Sequence, residues 1–123
     1  MVGEVAEYLA RSVEIAIRAG VARDQVVIDP GIGFGKTLQH NLELIRHLHV
    51  LKSLGQPLLL GTSRKAFIGL ILGGLPPAER VEGTAATCVL AVAEGVDVVR
   101  VHDVGPIARA LKVADAVVRG LEE

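Results

Sequence analysis

Aromatic side chains are nearly absent: one Tyr, two Phe and no Trp occur among 123 residues, half of which are hydrophobic. The apolar mass is therefore Val, Leu, Ile and Ala, with 14 Gly between them. Short β-branched strands buried on both faces and covered by Ala-rich helices produce that balance. A single cysteine, Cys88, excludes an internal disulfide and suits a reducing compartment. With a net charge of −1 there is no general attraction to nucleic acid or to an anionic membrane. No apolar run approaches the length of a membrane span, and Met1 to Ala10 lacks the basic start of a secretion signal. The expectation is one soluble, cytoplasmic domain, because 123 residues are too few for two.

What is present is periodic. Val5, Leu9, Val13, Ala16 and Ile17 recur at helical spacing, so Val2 to Ala19 reads as a helix stopped by Gly20. Val26-Val27-Ile28 reads as a buried strand ended by Asp29-Pro30-Gly31. A second helix, capped by Thr37, carries Leu38, Leu42, Ile45 and Leu48 on one face and ends before Gly55-Gln56-Pro57. Leu58 to Leu60 is the next strand, Ser63 to Leu72 is weakly helical, and a longer helix runs from about Gly83 to Ala93. Val96 to Val101 is the third strand. The last helix has Pro106 near its first turn and Gly120 as its cap. Helix, then strand–helix three times, predicts an α/β chain with a parallel sheet: an open doubly wound sheet or part of an eight-stranded barrel. A complete barrel needs about 250 residues, so this chain supplies at most part of one.

Ligands of parallel α/β folds bind at the carboxyl ends of the strands, and each strand here ends in a polar cluster. The clusters are Asp29-Pro30-Gly31-Ile32-Gly33-Phe34-Gly35-Lys36, Gly61-Thr62-Ser63-Arg64-Lys65 and Arg100-Val101-His102-Asp103. Strand alternation puts Val98, Arg100 and His102 on one face and Val99 and Val101 on the other. Arg100 and His102 then point together, two anion-friendly groups. The structural alternative pairs Arg100 with Asp97 or Glu94, but an Arg in a Val-rich strand is costly to bury without purpose. Asp29 reads equally well as a turn former or as a carboxylate accepting two parallel hydrogen bonds from a guanidine-like ligand edge. Lys65, behind a Ser63 that could cap the next helix, reads as a solvated lysine or as part of an anion or carbonyl site.

Gly35-Lys36-Thr37 invites a phosphate-loop reading. That pattern requires a glycine five positions before the Gly of Gly-Lys-Thr, where Pro30 stands. The resemblance reads as accidental. His40, His47 and His49 lack a carboxylate or Cys to complete a metal set and read as surface residues, and Cys88 as a small packing residue.

The three clusters, in this order and spacing, together with Glu82-Gly83-Thr84-Ala85-Ala86, resemble dihydropteroate synthase over nearly the whole chain. The resemblance implies a partial (β/α)8 TIM barrel, the last three βα units preceded by one helix, with residues 1–123 forming a C-terminal half-barrel of a pterin-binding domain. It implies a transferase of folate biosynthesis that condenses 6-hydroxymethyl-7,8-dihydropterin diphosphate with p-aminobenzoate, with Mg2+ leaving on the diphosphate and its ligand Asn absent from this chain. By motif position Asp29 would bond the pterin's 2-amino edge and Lys65 its carbonyl side, while Arg100 would stack over the ring. Arg100 and His102 would meet the departing diphosphate, with Ser63 nearby, and Phe34 would line the p-aminobenzoate side. Lys65, Arg100 and His102 form the implied catalytic set, and Gly33 and Val101 complete the substrate-binding one. Many members carry a serine after the motif lysine, where this chain has Ala66, which implies altered contact with the p-aminobenzoate carboxylate. A half-barrel exposes strand edges, so the isolated chain is expected to be inactive or nearly so, and to self-associate or pair with a missing N-terminal half. The alternatives are a non-catalytic or methyl-carrier pterin-binding barrel module and a structural fragment without ligand affinity.

Overall fold

The computed structural model describes residues 1–121. Helix α1 spans Val2–Arg18, α2 Leu38–Arg46, α3 Leu48–Lys52, α4 Ala66–Ile71, α5 Val81–Ala93 and α6 Val104–Arg119, with strands β1 at Leu59–Leu60 and β2 at Val98–Val99. The strands pair in parallel, Leu59 with Val98 and Leu60 with Val99. On the other side of β1, Ile28 forms a single parallel bridge with Leu58. The architecture is α/β, with chain segments side by side in sequence order and helices between them.

The strands are shorter than the apolar runs suggest. Val26-Val27-Ile28 contributes only that bridge, held by Ile28 N–H to Pro57 O at 2.9 Å and Leu59 N–H to Ile28 O at 2.8 Å. Of Val96 to Val101, only Val98 and Val99 join the ladder. The central segment has a neighbour on each side, whereas each outer segment has one, so the outer ladders end early.

The expected second helix is two. His47, at φ −119°, closes α2 and opens α3. Its Nδ1 lies 2.9 Å from Glu43 O, and since a carbonyl only accepts, the ring donates there, competing with the helix ladder. Thr37 does cap α2, accepting from His40 N–H at 3.1 Å. The buried face of α2 is Asn41, Leu44 and Ile45; Leu38 is exposed and Leu42 only half-buried. Leu44, Leu48, Leu51, Leu58 and Leu60 are fully buried in one core with Ile28, Ile32, Phe67 and Ile68, against which Leu9 and Val13 of α1 close. Helix α5 packs along α6.

Valines on the two outer segments are nonetheless left bare: Val27, beside the Ile28 bridge, is 51% and Val98 of β2 44% exposed. No helix among the described residues is long and apolar enough to cross a membrane.

Candidate functional site at the strand ends

After Ile28 the chain enters the glycine loop. Asp29 Oδ1 accepts from Gly31 N–H at 2.8 Å, closing an Asx-type turn. Gly33, at φ +86°, donates its N–H to Asn41 Oδ1 at 2.9 Å. A Cβ on Gly33 would stand 3.2 Å from Lys65 Cδ, so glycine here serves both the backbone angle and the passage of that side chain. Lys36 donates to Gly31 O at 2.8 Å and to Phe34 O at 3.0 Å. Its ammonium ties the loop to itself, which gives Gly35-Lys36-Thr37 a structural use and agrees with reading the phosphate-loop likeness as accidental.

Beyond β1, Lys65 N–H bonds Thr62 O at 3.1 Å and closes a tight turn. Its third residue, Arg64, has φ +58°, the one positive value on a non-glycine among the described residues. A left-handed L-residue costs about 1–2 kcal/mol, so the surroundings must hold it. Arg64 N–H donates to buried Thr84 Oγ1 at 3.2 Å, and Arg80 Nη1 donates to Arg64 O at 2.8 Å. The guanidinium forms a two-pronged pair with Asp103, Nη2 to Oδ1 at 2.9 Å and Nε to Oδ2 at 3.3 Å. Bonding to Arg64 holds the Asp103 carboxyl below its usual range, and the same bond pushes Arg64 up.

Beside that turn lies a cavity of about 390 Å3 lined by Gly61, Ser63, Lys65, Arg100, Val101 and His102. Lys65 Nζ reaches across to Ile32 O at 3.0 Å and stands 4.2 Å from the Phe34 ring centroid, in cation–π range. The Arg100 guanidinium lies over Gly61, where a Cβ would stand 3.4 Å from Nη2. Ser63 Oγ accepts from His102 N–H at 3.0 Å and sits 2.7 Å from His102 Nδ1. The carboxylates that could have claimed Arg100 are engaged elsewhere. Glu94 takes His49 at 2.7 Å and Asp97 takes Lys52 at 2.5 Å. Among the described residues Arg100 forms no ion pair.

The structure thus gathers Ser63, Lys65, Arg100, Val101 and His102. Val101 joins them although alternation put it on the opposite face, because the ladder ends at Val99. Ser63 does not cap α4, whose N-cap is Lys65; it holds His102 instead. Asp29 lines a different hollow, of about 480 Å3, between Met1, Val5 and Tyr8 at the start of α1 and Phe34 and Lys36 of the glycine loop. Lys65, which lines the first cavity, stands against Phe34, which lines the second. Three contributors escaped the sequence. Asn41, 3% exposed on an apolar helix face, carried a signal in being a buried-side amide. Thr84 lay within the Glu82 to Ala86 segment that carried the resemblance, without a role of its own, and Arg80 carried no signal.

No group of three or more His, Cys, Asp or Glu that could hold a metal occurs among the described residues. Cys88 is buried, which pushes its thiol up despite hydrogen bonds from Thr62 and Thr87 that act the other way.

Comparison with known proteins adds the family. The Synechocystis dihydropteroate synthase is 51% identical over 119 residues, covering 97% of this chain and 41% of that protein. A Clostridium difficile dihydropteroate synthase crystallised in the presence of pteroic acid superposes with a TM-score of 0.93 at 46% identity, covering 97% of this chain and 45% of that one. The Thermus thermophilus enzyme in complex with 4-aminobenzoate gives 0.88 at 47% identity, over 94% and 46%. The chain therefore spans less than half the length of these relatives. The family described as pterin binding enzyme matches residues 1–102, a stretch holding all three strand-end clusters up to His102, and the chain belongs to that family.

Proposed function

We propose that this chain carries the strand-end half of a dihydropteroate synthase site, in a transferase that joins a pterin diphosphate to p-aminobenzoate in folate biosynthesis. The observation that carries the reading is the cavity in which Lys65, Arg100 and His102 converge with Ser63, with no carboxylate among the described residues that line it. Preorganised donors of one sign stabilise charge that develops during reaction. When the aryl amine's nitrogen attacks the pterin methylene carbon, the carbon–oxygen bond breaks and its electron pair leaves on diphosphate. Arg100 and His102 face that growing charge. Lys65, anchored on Ile32 O, presents its remaining protons to the pterin carbonyl side, and Phe34 flanks the p-aminobenzoate side with Gly33 beneath. Asp29 would bond the 2-amino edge; one oxygen is spent on Gly31, so the pairing would use the other or reopen the turn. Ala66, the first residue of α4, offers no hydroxyl to the p-aminobenzoate carboxylate.

The chain would form the last three βα units of a (β/α)8 barrel, as one half-domain over residues 1–123, in a cytoplasmic enzyme. Bare Val27 and Val98 fit a sheet that continues into a second copy or an N-terminal half. The cationic cavity does not itself fit Mg2+; the ion would be held on the diphosphate by an Asn outside this chain.

A titration tests this reading. Inorganic diphosphate should strengthen binding of a pterin analogue, and Arg100→Ala should abolish that gain. A methyl-carrier pterin module has no leaving diphosphate to neutralise, so diphosphate-independent binding would favour that alternative. Absence of any pterin binding would favour a structural fragment. Purified chain alone should form no dihydropteroate; its detectable formation would overturn the half-site reading.

A further inference from the structure

Arg64 is the residue in this region that no ligand role absorbs. It sits between Ser63 and Lys65, which both line the cavity, while Arg64 itself does not. The third position of this turn has φ +58°, an angle glycine adopts without strain. An arginine there is explained by what its side chain reaches, and it reaches Asp103 through two bonds. Asp103 directly follows His102. The turn of residues 63–65 and the end of β2 are therefore stapled twice in adjacent rows, Ser63 to His102 and Arg64 to Asp103. Thr84 and Arg80 hold the Arg64 backbone from α5 and from the loop before it.

We propose that Arg64 is a positioning residue: through Asp103 it fixes the gap between Ser63 and Lys65 on one wall of the cavity and Arg100 and His102 on the other. This rests on the anion-binding reading above. One consequence is visible without ligand. The Ser63 hydroxyl accepts from the His102 amide and lies 2.7 Å from Nδ1; a hydroxyl hydrogen turned to Nδ1 would put the ring's proton on Nε2, where a ligand can reach it.

The test uses the full 123-residue chain, labelled with 15N, and three variants: Arg64→Gly, Arg64→Lys and Asp103→Asn. Arg64→Gly removes the staple while relieving the strained angle, so its thermal midpoint should stay near that of the parent. Ring 15N spectra should show one His102 tautomer in the parent and a mixture in Arg64→Gly. Its Kd for inorganic diphosphate should rise ~10-fold, the lower end of what removing an outer partner of a metal-binding side chain costs. Asp103→Asn, which keeps the shape of the pair, and Arg64→Lys, which keeps the charge, should fall between. An Arg64→Gly variant that is folded, with the parent's tautomer and the parent's diphosphate affinity, would overturn the proposal. If the parent binds no diphosphate, the anion-site reading fails, and the tautomer comparison alone decides whether Arg64 positions His102. Should Arg64→Gly not fold, the same comparison on Asp103→Asn and Arg64→Lys decides.

Discussion

Substituting Gly83 by alanine should destabilise the chain, against the direction that helix propensity predicts. Gly83 lies in the first turn of α5, where a Cβ would overlap Ile68 Cγ2 and press on Ile68 Cβ at 3.4 Å. Alanine in place of glycine inside a helix gains about 1 kcal/mol. Forcing a methyl into a packed core costs about 1–3 kcal/mol. Ile68 cannot easily swing aside: it is 3% exposed, and a β-branched residue in a helix has one dominant rotamer. Direct overlap with Ile68 Cγ2 puts the cost in the upper part of that range, so the net loss should be about 1–2 kcal/mol, a fall in Tm of about 3–10 °C for a chain of this size. Ile68→Leu moves the branch from Cβ to Cγ and removes the offending methyl, at a cost usually below about 1.5 kcal/mol. The double variant should therefore recover most of the loss, giving a coupling of about 1 kcal/mol in a double-mutant cycle followed by thermal or urea unfolding. Because Thr84, next in the chain, accepts from Arg64 N–H, the Gly83→Ala variant should also exchange the Arg64 amide faster. A Gly83→Ala variant as stable as the parent, or an additive cycle, would refute the close contact of Gly83 with Ile68.

Gln56 is buried and donates to Arg23 O and Val26 O, both at 2.8 Å. Gln56→Leu strands two carbonyls and should cost about 1–3 kcal/mol in urea unfolding; an unchanged midpoint would contradict it. Asn41→Leu removes the acceptor for Gly33 N–H, and a lost bond of about 1 kcal/mol corresponds to roughly fivefold faster exchange of that amide. Burial pushes the Asp97 carboxyl up, but Lys52, the Leu58 N–H and nearby Arg119 outweigh it, and the group ends below its usual range. Its proton is then held less tightly in the folded chain than in the unfolded one. The stability it contributes is complete above the unfolded value of about 3.9 and is lost as pH falls through the lower folded one. Asp97→Asn should accordingly flatten the loss of stability below about pH 4, and Asp103, shifted in the same direction by Arg64, should behave alike; an unaltered acid limb in both would count against these pairs.

The helices were readable because each repeats its apolar residues over several turns, and α1 and α6 end within a residue or two of the expected limits. The break at His47 was not, since no glycine or proline marks it and a side chain's bond to Glu43 O makes it. Of the site, the residue types and the convergence of Arg100 with His102 could be read from strand alternation. The placement of Asp29 in a separate hollow could not, because it depends on α1 packing against the glycine loop. What holds the site was hidden for a different reason, which the sheet register makes plain. Leu59 pairs with Val98 and Leu60 with Val99, an offset of 39 residues. The same offset joins Leu58 to Asp97, Ser63 to His102 and Arg64 to Asp103. Parallel strands keep the offset between partners constant, and the side-chain pairs beyond the end of the ladder repeat that offset. Composition and periodicity locate the strands without setting that register, and each residue of the Arg64–Asp103 pair looks by itself like an ordinary surface charge. The shared offset brings the two segments level, and the hold of Thr84 and Arg80 on the Arg64 backbone then sets the staple beside Ser63 and His102.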